Sequence, residues 1–250
     1  MKRVIPAVLF ALAVLALWQV AAELALISPI FFPSPARTLL ELYDQVVSGR
    51  LWQPLGATSL RMLYGWVLAS LLGVALGVAI GCSRAARAYL EPTLEFLRPL
   101  PASAIIPVAI LFLGLSNGMS AAVIAFGSLW PVLLGTVHGV SSVEPQLTEL
   151  AAALRLSRGE RLLKIELPAA LPDILAGARV GLAIALILAV VTEMQASLPG
   201  LGQNILLAQR SYRSPELYAG IVTLGLMGFA ANQLVLLAES RLLRWRSSPV

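Results

Sequence analysis

Four cations, Arg155, Arg158, Arg161 and Lys164, recur at three-residue intervals in a chain that is otherwise largely apolar. Fixed cations on a short segment hold acidic surfaces or anionic lipid headgroups; they do not by themselves make or break bonds. The chemistry they offer is recognition. Parts for covalent chemistry are missing: there is no HExxH or GxSxG, and one histidine, His138, leaves no metal cluster or Ser–His pair. No GxxxxGK[ST] phosphate loop occurs, and neither lysine, Lys2 nor Lys164, follows a glycine. The chain is therefore not read as an enzyme, and it cannot hydrolyse ATP by the phosphate-loop route. Ionisable groups that could serve a coupled carrier are few: Glu23, His138 and Glu193. Glu193, with Thr192 and Gln195 beside it, is either a polar point on a pathway or a helix-end carboxylate bonded to its neighbours.

The elements that carry these residues follow from composition. Of 250 residues, 58% are hydrophobic and 12% charged, too little charge to clothe a soluble domain of this size, so the chain reads as an all-α polytopic membrane protein. A crossing needs about 20 apolar residues, and six segments supply them, at 4–26, 60–82, 90–113, 119–140, 174–196 and 217–240. The first is too long for the core of a signal peptide and no cleavage site follows it. Cys82, the one cysteine, forms no disulfide within the chain and reads as a packing residue.

The net charge of +5 matters by its location and does not point to nucleic acid. With the N-terminus inside, the inner segments hold Lys2, Arg3, Arg84, Arg87, the four cations above, Arg241, Arg244 and Arg246. The outer segments hold only Arg37, Arg50, Arg61, Arg210 and Arg213. That asymmetry places both termini and the 141–173 loop in the cytoplasm. Four regions result: an N-terminal span, 1–26; an outer segment, 27–59, with a short amphipathic helix over Ala36–Ser48; a five-span core, 60–240; and a basic tail, 241–250. Gly73, Gly77 and Gly81 give the second span a smooth face for close helix approach, within the chain or against a second copy.

The charged loop itself reads as two short helices. Leu147, Leu150, Ala151 and Leu154 form one stripe that should be buried on the bundle, with Ser142 as cap. Ser157 and Glu160 form a capping box that starts the second helix, and Pro168 should end it.

Glu149, Ala151, Ser157 and Leu167-Pro168-Ala169-Ala170-Leu171-Pro172 resemble the EAA loop of permease subunits of bacterial ABC importers. The resemblance extends to Leu97-Arg98-Pro99-Leu100-Pro101, Pro107–Gly114, Val191–Met194 and Gly200-Leu201-Gly202, covering about 30–245, and is strongest with aliphatic-sulfonate, taurine and nitrate permeases. It implies a type I importer bundle of about six spans in the bacterial inner membrane, forming a pathway for a small anion. A separate cytoplasmic subunit would bind ATP, so the chain itself needs no cofactor. That subunit would seat on a coupling helix made by Glu149, Leu150, Ala151, Arg155, Ser157, Arg158, Leu167 and Pro168. A periplasmic or lipid-anchored binding protein would deliver substrate, a second permease copy would complete the pathway, and Glu193, Met194, Gly200 and Gly202 would lie at its gate. Two positions depart from the family: Leu150 replaces the usual Ala, and Arg155 replaces a Gly that favours the left-handed turn, so a different turn is expected there. A membrane scaffold that recruits a partner without transport is the alternative, and an ion-coupled carrier is the third.

Overall fold

The computed structural model describes residues 4–24 and 28–245. Lys2, Arg3 and Arg246, and the extreme ends of the 1–26 and 241–250 segments, lie outside the described residues. Among those described, every regular element is helical.

Among the described residues, four helices are long and apolar enough to cross a bilayer. They are α3 (Trp52–Gly81), α6 (Asn117–Ser141), the continuous run Arg158–Ala196, and α11 (Ser214–Leu242). The expected third span is instead two helices, α4 (Arg84–Leu97) and α5 (Ala102–Leu113), which count as one broken crossing at most. Pro99 and Pro101 occupy the break; Arg98 still has helical dihedrals, while Pro101 is extended and carries the chain into α5. At the first expected span stands α1 (Val4–Glu23), a largely apolar helix of 20 residues. Serine hydroxyls start several of these elements by accepting an orphan amide. Ser83 caps α4 by accepting from Ala86, and Ser116 caps α6 by accepting from Met119.

The chain divides into two compact units. The first comprises Met1–Thr58 and Pro199–Met227. In it α2 (Pro35–Val47) is capped by Ser34, with Pro35 in the first turn where its missing N–H costs nothing. Trp18 of α1 donates to the Pro33 carbonyl at 3.1 Å and packs its ring on Phe32 and Tyr218. The helix α10 (Leu201–Arg210) is tied by the Leu201 amide, which donates to the buried Thr58 hydroxyl at 2.9 Å.

The second unit comprises Ser59–Leu198 and Gly228–Val250. Its centre is the pairing of α6 with α9 (Leu167–Ala196). A β-carbon at Gly177 would stand 2.4 Å from the Pro131 carbonyl oxygen, so these helices meet backbone to backbone. The smooth face of α3 also finds its partner inside the chain. Gly73, Gly77 and Gly81 lie against Val132, Thr136 and Val140 of α6. Without side chains in the way, van der Waals contact along the whole stripe holds the pair together.

Candidate functional site

The charged loop is built from α7 (Pro145–Ala153), a four-residue turn, and α8 (Arg158–Arg161), which runs on through a π-turn (Leu162–Glu166) into α9. Ser142 does not cap α7. It is the C-cap of α6, its amide donating to the His138 carbonyl, and Glu144 occupies the position before Pro145. Nor does Pro168 end a helix. It stands in the first turn of α9, where the amide it lacks is one the helix would not have used in regular fashion. The second helix of the loop is thus the projecting end of the fifth span.

Arg155 adopts the left-handed conformation itself, with φ 51°. Its amide donates to Ala152 and that of Leu156 to Ala151, the bonding of a Schellman C-cap. The turn a glycine would make is therefore present despite the arginine. Ser157 and Glu160 form the capping box: the hydroxyl accepts from the Glu160 amide at 3.3 Å, and the carboxylate accepts from the Ser157 amide at 3.0 Å. Donation to the carboxylate from the Ser157 amide and from its hydroxyl at 2.8 Å, with Lys164 donating at 3.0 Å, holds the Glu160 carboxyl down to about 2.

The apolar stripe of α7 is not buried as expected. Ala151 is 1% exposed, but Leu154 is 62% and Leu163, beyond the turn, 69% exposed. Leu150 is open as well, and Glu149, Arg155, Ser157 and Arg158 surround these leucines with exposed polar groups. Leu167 and Pro168 are half-buried behind them. An uncovered apolar centre with a charged rim is the anatomy of a protein contact surface.

A second polar cluster lies in the same unit. Glu193 is fully buried, and Arg61 of α3 donates to it at 2.7 Å while also donating to the Asn117 side chain at 2.9 Å. Beside it the hydroxyls of Ser120 and Thr192 meet at 2.8 Å. Met194 is half-buried next to Glu193 on α9. Gly200 and Gly202 are buried in the first unit. Arg61, assigned above to an outer loop, instead stands well inside α3, because that helix begins at Trp52. An arginine amid apolar residues at helical spacing was the available signal. Glu166, buried behind α8, carried no sequence signal at all.

A polytopic bundle with an exposed, charged helical hairpin is the architecture these residues define. The chain belongs to the family described as binding-protein-dependent transport system inner membrane component, which matches residues 69–245. It is 34% identical over 235 residues to the putative aliphatic sulfonates transport permease protein SsuC of Bacillus subtilis, covering 94% of this chain and 85% of that protein. To the taurine transport system permease protein TauC of Escherichia coli it is 31% identical, over 92% of this chain and 86% of that one. The fold resembles that of a crystallised amino acid ABC transporter, with a TM-score of 0.61 at 15% identity over 82% of this chain and 97% of that chain.

Proposed function

We propose that this chain is the membrane-spanning subunit of an ATP-driven importer for a small anion of the sulfonate, taurine or nitrate kind. The observation that carries the reading is the uncovered surface of α7 and α8, where Leu150, Leu154 and Leu163 stand open among Arg155 and Arg158. A cytoplasmic ATP-binding subunit seats there, and its closure on nucleotide moves the hairpin. Both termini face the cytoplasm, a substrate-binding protein delivers the anion from the other side, and a second copy of the chain completes the pathway. Membership in a binding-protein-dependent family and the names of its relatives support this assembly. Glu193, Met194, Gly200 and Gly202 belong to the gate on the receptor side.

The test is reconstitution of the permease with its ATPase and receptor in liposomes, comparing wild type with Glu149→Ala and Glu149→Lys. The reading requires that wild type assemble and support receptor-stimulated hydrolysis, and that the lysine variant lose it while staying folded. Equal hydrolysis and transport in all three would leave the hairpin a membrane-surface segment and remove the assignment.

A further inference from the structure

The π-turn Leu162–Glu166 interrupts an otherwise continuous helix, and the Leu167 amide closes it by donating to the Leu162 carbonyl, five residues back. Such insertions are rare and concentrate where a helix does mechanical or chemical work. In a regular α-helix, side chains five residues apart diverge by about 140° around the axis. Here Arg161 and Glu166, five apart, meet at 2.6 Å. The ion pair therefore exists only while the extra residue stays looped into the turn.

Glu166 reaches further. It is 7% exposed, and its second oxygen accepts from the Cys82 thiol at 3.8 Å. Cys82 follows the last residue of α3, at a corner where Ser83 caps α4 and Arg87 donates to the Gly81 carbonyl at 3.0 Å. One buried carboxylate thus ties three things together: the last cation of α8, the joint between α8 and α9, and the α3–α4 corner.

We infer that Glu166 is a positioning residue for energy coupling, holding the π-turn so that displacement of the α7–α8 hairpin is passed to α9 and to the α3–α4 corner instead of being absorbed by rewinding of the helix. The inference rests on the hairpin being the ATPase seat. A carboxylate that served only stability would not need to bridge a helix irregularity to a separate corner. A buried charge is also costly to retain unless it is paired on more than one side.

The native Cys82, the only cysteine in the chain, reports on this clamp without engineering. Loss of water around the thiol, together with the adjacent Glu166 carboxylate, pushes its pKa up. Glu166→Gln keeps the shape and removes the charge, so maleimide labelling of Cys82 in the purified permease alone should speed up several-fold, at about tenfold per unit of thiol pKa. In the reconstituted complex, the same variant should co-purify with the ATPase as wild type does, while the ratio of receptor-stimulated to basal hydrolysis falls by about fivefold or more. The charge-swapped Arg161→Glu/Glu166→Arg pair should recover part of that ratio, which a purely steric role would not allow. Unchanged labelling and an unchanged ratio would overturn the inference, and so would a Glu166→Gln variant that fails to assemble or unfolds. Glu149→Lys keeps the two readings apart. If it is defective while Glu166→Gln behaves as wild type, the seat stands and the clamp falls. If Glu149→Lys couples normally, both fall.

Discussion

The guanidinium of Arg61 lies 2.7 Å from the carboxylate of Glu193, across 132 residues of sequence, in a position where Glu193 is closed off from solvent. Neither charge has water to fall back on, so each depends on the other and on the polar groups around them. Arg61→Met should cost about 3 kcal/mol or more, because it strands a buried carboxylate. Glu193→Leu should cost a similar amount, and the double variant less than the sum of the two. Thermal unfolding of the purified permease in detergent reads all three. Singles that each cost under about 1 kcal/mol would mean the pair is solvated in the native state.

Glycine at position 77 is set by its neighbour. A β-carbon there would sit 2.5 Å from the Thr136 β-carbon, in a contact that cannot relax without moving α3 away from α6. Gly77→Leu should destabilise by about 3 kcal/mol, and even Gly77→Ala by about 1 kcal/mol. Gly225 on α11 has nothing within 4 Å, and Gly225→Ala should be neutral or slightly stabilising through helix propensity. If the two alanine variants melt together, the α3–α6 contact is looser than its geometry.

Arg155 holds a left-handed backbone at φ 51°, which a residue with a β-carbon adopts at a cost of about 1 kcal/mol. Arg155→Gly should raise thermal stability by about that amount, and Arg155→Val should lower it. The glycine variant separates stability from docking: a higher melting temperature accompanied by weaker ATPase binding would show that the arginine is kept for its charge. A lower melting temperature would mean the guanidinium contributes more to the fold than the turn costs.

The capping box gives a pH dependence with a definite sign. Glu160 is depressed from 4.5 to about 2 by bonds from Ser157 and Lys164. A depressed carboxyl contributes stability that is fully present above its unfolded value and lost as pH falls through its folded one. Protection of the α8 amides from hydrogen exchange, corrected for intrinsic rates, should be flat from pH 8 to about 5 and should drop between about 4.5 and 2. Ser157→Ala should shrink that drop without abolishing it, because it removes the hydroxyl's bond and leaves those from the Ser157 amide and Lys164. A loss of protection near neutral pH would place its cause elsewhere.

Features fixed by neighbours in sequence could be read from the sequence; features fixed by distant packing could not. The Ser157–Glu160 box, the helix after Ser34 and the glycine stripe of α3 are local patterns, and the structure places each where its pattern lies. The Arg61–Glu193 pair joins residues whose meeting depends on how α3, α6 and α9 stack, and the sequence offers only an arginine inside an apolar run. Pro168 misled for a related reason. Proline ends helices when the preceding turn must bond regularly, and here the π-turn changes that bonding. The open faces of Leu150 and Leu154 could not be told from core, because a surface awaiting a partner carries the same periodicity as one already covered.

The helical run from Arg158 to Ala196, π-turn included, is 39 residues, a rod about 58 Å long at 1.5 Å per residue. A hydrocarbon layer needs only about 30 Å of it. The remainder makes the rod a lever whose short arm projects from the layer. Tilting such a rod by about 5° displaces one end relative to the other by roughly 5 Å, about the spacing of one helical turn. A flexible tether at Pro168 would have dissipated that displacement; a stiff shaft delivers it, so a small rocking of a bound motor would be enough to reseat side chains on the far side of the membrane.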